Sequence, residues 1–156
     1  MIMLVDDSYN EKFMRLALKK AEEIKKEKAS DIPVCAIIVK NNKIISIAIN
    51  AKEKDNIVTS HAEILAIQKA NNFLQNWRLE NCSIYVTLEP CPMCAWAILN
   101  ARIKNVYFSS YDTKYGAFQG KINLNLLSDF KTNAKGGFLE DIGDKILKDY
   151  FNSIRK

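Results

Sequence analysis

Apolar residues first recur at helical spacing. Phe13, Met14, Ala17, Leu18, Ala21 and Ile24 form one stripe, as in an amphipathic helix with one face against a core. The pattern predicts a helix over 8–28, and Ser8 and Glu11 stand at capping-box spacing. Asp31-Ile32-Pro33 ends that unit, because proline disfavours helical backbone at the residue before it. Two nearly continuous apolar runs follow, VCAIIVK at 34–40 and KIISIAIN at 43–50. Asn41-Asn42 between them is a hairpin signal. Runs with so little alternation suit a sheet covered on both faces.

A polar stretch, AKEKDNIVTS, predicts a loop before a second helix over 61–74. CSIYVTL (82–88) reads as a strand, 90–100 as a helix and NVYFSS (105–110) as another strand. The pattern fades in YDTKYGAFQG and recovers over 140–156, through Ile142, Ile146, Leu147, Tyr150, Phe151 and Ile154. Strands alternating with helices predict parallel pairing with crossover helices. The class expected is α/β, a three-layer α/β/α sandwich around a mixed sheet. No repeat, low-complexity tract or linker divides the chain, so 1–156 is read as a single domain.

Composition adds bounds. A chain of 156 residues can bury a core without disulfides. Its 48% apolar and 26% charged residues are those of an ordinary soluble protein. The opening MIMLVDDSYN turns acidic after five positions, too early for a signal peptide. No run reaches the roughly 18 apolar residues of a membrane span. These features predict a cytoplasmic protein. The net charge of +5 and pI near 9.0 favour an anionic partner such as nucleic acid, although a lysine-rich solvated surface gives the same balance.

Four cysteines in a reducing compartment are better explained as thiols or metal ligands than as bridges. Cys91 and Cys94 are three residues apart, behind an apolar strand and at the mouth of a predicted helix. The only histidine, His61, opens another predicted helix, with Glu63 two residues on. Both helix starts can meet at one sheet edge, where open α/β sheets build sites. Helix N-termini favour thiolates, and Pro90 suits a first helical turn. One nitrogen and two thiolates suit zinc. Three ligands leave a fourth position for water, as in catalytic rather than structural zinc sites. Glu63 is then placed as general acid and base. Alternatives stay open for each piece. Ser60 and Glu63 also have capping-box spacing, and a lone Cys-x-x-Cys could be a redox pair. Cys35 and Cys82 read as small buried hydrophobes.

The conjunction of His-x-Glu opening one helix and Pro-Cys-x-x-Cys opening the next resembles the zinc nucleobase deaminases. More narrowly, the chain resembles the cytidine deaminase superfamily and, within it, the bacterial tRNA-specific adenosine deaminases. That likeness runs from about Tyr9 to Arg155. It is carried by IPVCAIIV (32–39), Asn50, TSHAEILAI (59–67), NWRLENCSIYVTLEPCPMCA (76–95), ARIKNVYFSSYDTKYGA (101–117) and KDYFNSIR (148–155). Departures are Cys35 and Trp96 where the family has glycine, and Ile57-Val58 in place of Asp-Pro.

The resemblance implies a cytidine deaminase-like fold with a mixed five-stranded sheet, one zinc per subunit and a homodimer acting on a tRNA anticodon stem-loop. By it, His61, Cys91 and Cys94 bind zinc, and Glu63 deprotonates water for attack on adenine. Asn50 holds the purine edge. Asp112, Lys114, Phe151 and Arg155 contact RNA, with Tyr150 beside them. The reaction implied is wobble adenosine to inosine. A free-base or nucleoside deaminase acting on guanine or cytosine is the competing enzyme, and a zinc-stabilised binding module without catalysis the competing non-enzyme.

Overall fold

Helix α1 (Glu11–Lys26) forms where the apolar stripe predicts it, and Phe13, Met14, Ala17, Leu18, Ala21 and Ile24 are all buried. The computed structural model describes residues 9–27 and 31–155, so Ser8 and residue 28, the expected ends of this helix, lie outside the described residues. The cap is Asn10 instead, whose side chain accepts the Lys12 N–H. That interaction satisfies one of the N–H groups a helix leaves open.

Strands β1 (Cys35–Lys40) and β2 (Lys43–Ile49) form the expected antiparallel hairpin. Asn41 and Asn42 make its turn with φ of 51° and 60°, the left-handed backbone that a two-residue hairpin needs. The polar stretch after β2, expected as a loop, holds a single helical turn, α2 (Lys52–Asp55). Its N-terminal amides are capped from outside by Asp31, which accepts from Glu53 N at 2.6 Å and Lys54 N at 3.0 Å. Then come α3 (Ala62–Leu74), β3 (Cys82–Leu88), α4 (Pro92–Asn100) and β4 (Asn105–Ser110). A short 3-10 turn (Leu124–Leu126), β5 (Asn133–Lys135) and α5 (Glu140–Ile154) complete the order.

The five strands lie in the order β2-β1-β3-β4-β5. The sheet is mixed, as expected, but parallel pairing is not uniform. β3–β4 and β4–β5 are parallel, whereas β1–β2 and β1–β3 are antiparallel. β2 and β3, joined by the crossover helix α3, run the same way but do not touch, because β1 lies between them. Thus β2, β3 and β4 all end at one edge of the sheet, and β1 begins there.

Both faces are covered. Ala36, Ile38, Ile84, Val86, Val106 and Phe108 face a core shared with α3 and α4. The alternating Cys35, Ile37, Val39, Tyr85 and Tyr107 face a second core under α1 and α5. This two-sided burial explains the nearly unbroken apolar runs of β1, β3 and β4, whereas the edge strand β2, also expected to be covered on both faces, leaves Ile44 and Ile49 39% and 37% exposed. Fully buried Ile84 and Ile98 each contribute about 1.5–3 kcal/mol of transfer free energy. Cys35 and Cys82 belong to the two cores, and burial pushes the Cys35 thiol up to about 12. No helix among the described residues is long and apolar enough to cross a membrane.

Helix α5 approaches β4 through Gly143. A Cβ there would stand 2.5 Å from Ser109 Oγ and 2.7 Å from Ser110 Oγ. Overpacking costs about 1–3 kcal/mol, and the gain in helix propensity from glycine to alanine is about 1 kcal/mol. Gly143→Ala is therefore expected to lower stability by about 1 kcal/mol. The reading is a lower urea midpoint with an unchanged slope. A midpoint equal to or above that of the parent contradicts this close approach.

Candidate active site

The residues picked out by spacing converge at the shared strand edge. His61 and Cys91 occupy the N-cap positions of α3 and α4, both in extended backbone, and neither side chain caps its own helix. Freed from capping, the two side chains face each other. His61 Nδ1 lies 3.7 Å from Cys91 Sγ and 3.5 Å from Cys94 Sγ. One ligand atom from each residue fits within 4.8 Å of the others. Tetrahedral zinc with ordinary Zn–N and Zn–S lengths needs an N···S separation of about 3.6 Å, so the donor set fits zinc in both chemistry and size. It is the only such His, Cys and carboxylate cluster among the described residues.

Two local expectations change. Helix α4 starts at Pro92, not Pro90, because Cys91 is the N-cap. The Ser60–Glu63 capping box does not form: α3 starts at Ala62 with His61 as its cap, and Glu63 is the second helical residue. Glu63 is buried, at 5% exposure, with its carboxyl beside Cys94.

Electrostatics couple the group. Burial pushes the Glu63 carboxyl up to about 7. A hydrogen bond from Cys94 holds the Cys91 thiol down at about 4, with His61 assisting. The same hydrogen bond and burial push Cys94 up, and the bond with Cys91 pulls His61 up. Without a metal, the Cys91 thiol gives up its proton more readily than that of Cys94. The two helix N-termini favour this anionic state.

A cavity of about 540 Å³ opens over these side chains. Asn50, His61, Glu63, Cys91, Asp112 and Phe151 all line it. Asn50 follows β2 and donates through Nδ2 to Ile32 O at 3.2 Å, while its Oδ1 is buried with no partner among the described residues. Tyr115, Tyr150 and Ile154 add apolar wall. Lys114 and Arg155 are exposed and do not line the cavity. The Lys114 ammonium lies 5.2 Å from the Tyr115 ring centre, and Arg155 caps the end of α5 next to Ile154.

Two acids at the cavity escape sequence reasoning. Asp31 caps α2, and Glu89 is 2% exposed and accepts four backbone N–H groups from the 112–120 loop. A lone acid at the end of an apolar run has no spacing partner to mark it. The one signal was its place in Leu88-Glu89-Pro90-Cys91, between a buried strand and a metal-ligand turn.

Comparison with known proteins agrees with this geometry. Residues 7–110 match the cytidine and deoxycytidylate deaminase zinc-binding region. A tRNA-specific adenosine deaminase of Bacillus subtilis is 38% identical over 151 residues, covering 94% of this chain and 91% of that protein. One from Buchnera aphidicola is 40% identical over 151 residues, covering 96% of each. A structure solved in studies of A-to-I editing by tRNA:A34 deaminases at the wobble position of transfer RNA superposes with a TM-score of 0.83. It is 34% identical, and the match covers 88% of this chain and 100% of that one. With residues 7–110 matching the zinc-binding region and relatives aligned nearly end to end, the chain belongs to the cytidine and deoxycytidylate deaminase family of zinc enzymes, in the branch of the tRNA-specific adenosine deaminases.

Proposed function

We propose that this single-domain protein hydrolyses the wobble adenosine of a tRNA anticodon to inosine, releasing ammonia, in the cytoplasm and as a homodimer. The observation that carries the chemistry is the three-donor cluster of His61, Cys91 and Cys94 with the Glu63 carboxyl against it. Those three residues would hold the ion, and its chemistry there is Lewis acidity that makes water nucleophilic near neutral pH.

The chain's own residues do the rest. Glu63 takes one proton from the attacking water and delivers it to the purine ring nitrogen beside C6, then takes the second from the new C6 hydroxyl and passes it to the departing amine, which leaves as ammonia. Its raised pKa, about 7, suits both directions of transfer. Asn50 supplies a buried carbonyl acceptor for the purine edge through its unpartnered Oδ1. The base must leave its stack to enter. Tyr115, Tyr150 and Phe151 at the cavity offer aromatic surface for neighbouring loop nucleotides. Lys114 and Arg155, outside the wall, are placed for phosphates.

Exposed apolar side chains support association of two copies. Trp96 on α4 is 43% exposed, and Leu126 and Leu127 on the turn packed against α4 are 78% and 74% exposed.

Substrate is tested with an anticodon stem-loop bearing adenosine at its first anticodon position, beside free guanine, cytosine and adenosine. Inosine in the stem-loop alone is expected, and turnover of a free base alone contradicts the RNA assignment. Glu63→Gln is expected to abolish turnover, by about 10³-fold or more, while zinc content stays that of the parent. A fully active Glu63→Gln protein contradicts the proton-transfer role.

Metal binding should also depend on pH. Zinc needs Cys94 deprotonated and His61 neutral, and both hold protons more tightly than usual in the metal-free site. Acid therefore weakens binding. Competition with a chromophoric chelator should show apparent affinity falling about tenfold per pH unit for each proton displaced. One proton, from Cys94, counts above the raised pKa of His61, and two count below it. A flat profile from pH 5 to 8 contradicts this ligand set.

A further inference from the structure

We infer that Glu89 is a positioning residue that fixes the 111–120 loop over the cavity and ties it to the metal-ligand turn. The inference rests on the deaminase proposed above and deepens it. Glu89 stands two residues before Cys91 and is almost completely buried. Its Oε1 accepts Asp112 N–H at 3.1 Å, and its Oε2 accepts Phe118 N–H at 3.2 Å and those of Gln119 and Gly120 at 2.7 Å. None of the ion pairs among the described residues involves it. A buried carboxylate is costly unless its oxygens are met, and here backbone dipoles meet them, as in an anion-binding nest.

The carboxylate is one part of a wider seam. Glu89 N–H donates to Ser110 O, and Ala117 N–H donates to Pro90 O, each at 2.9 Å. Within the loop, Asp112 Oδ1 accepts the Lys114 and Tyr115 N–H groups. Gly116 packs so tightly on the Glu89 carboxyl and Asp112 O that a Cβ would collide with both. The loop thus has two anchorages. Ala117 and Phe118 are buried in the core beneath α4, whereas Asp112 and Tyr115, which line the cavity, depend on Glu89 and the turn it holds. Glu63, His61, Cys91 and Cys94 stand on α3 and α4 instead. Loosening Glu89 should therefore disturb substrate binding before chemistry.

The test uses Glu89→Gln in the zinc-loaded, full-length protein. The amide keeps one acceptor oxygen but turns its NH₂ against at least one loop N–H. Expected are one zinc per chain as in the parent, and faster hydrogen exchange at the Asp112, Phe118, Gln119 and Gly120 amides. KM for the stem-loop should rise about tenfold, as for loss of a hydrogen bond to a charged group, with kcat changed by less than about threefold. A fall in kcat at constant KM, loss of zinc, or unchanged protection of those amides each overturns the inference. Should Glu89→Gln fail to fold, Gly116→Ala moves the loop while keeping the carboxylate. The same rise in KM is expected there, and an unchanged KM overturns the inference. A parent protein inactive on the stem-loop sinks the proposed substrate alone, because amide exchange is read without substrate. In that case the exchange rates still decide for or against Glu89.

Discussion

Two helix N-termini meet at one edge of a sheet, and an imidazole and two sulfurs come within 4.8 Å of one another there. Everything else in the molecule is arranged around that closeness. The N-cap position normally belongs to a side chain that hydrogen-bonds its own helix. His61 and Cys91 hold both N-caps and give up that role, leaving their side chains free for each other. The helices thereby forgo a local stabilisation that typically amounts to about 1 kcal/mol per cap. In return the site gains two positive helix ends near its sulfurs.

Strand direction makes the meeting possible. One reversed strand, β1, lies inside a sheet whose other strands share a direction. The ends of β2, β3 and β4 therefore open on the same side. They deliver Asn50, then the Glu89–Cys91 turn, then the loop carrying Asp112 and Tyr115. The side chains of one cavity come from distant chain segments held rigid by a sheet buried on both faces. Helix α5 closes the rim with Tyr150, Phe151 and Ile154, and it can do so because Gly143 lets it press onto β4.

Much of this was legible in the residues themselves. The α1 stripe follows from helical periodicity, the hairpin from its Asn41-Asn42 turn, and the four longer strands from apolar runs bounded by turn and helix signals. The ligand set follows from scarcity, since one histidine and one close cysteine pair leave little choice. Other features carry no such mark. β5 is three residues, Asn133–Lys135, held by pairing with β4 rather than by an apolar pattern of its own. The order β2-β1-β3 depends on a long-range pairing that local pattern does not encode. Asp31 and Glu89 act through backbone N–H groups remote in sequence, and backbone partners leave no trace in side-chain spacing. Cys35, Trp96 and Ile57-Val58 depart from the family pattern, and all lie off the donor cluster: Cys35 is buried in the sheet, and the others are exposed.

The central claim is that one ion is gripped by a single nitrogen and two sulfurs, with an open fourth position beside Glu63. X-ray absorption at the zinc edge of the purified protein measures this directly. The account predicts one zinc per chain with two sulfur neighbours at about 2.3 Å and lighter N/O neighbours at about 2.0–2.1 Å completing four-coordination. One of those lighter neighbours should be exchangeable solvent. A third sulfur in the shell, or folded protein without stoichiometric zinc, would contradict it.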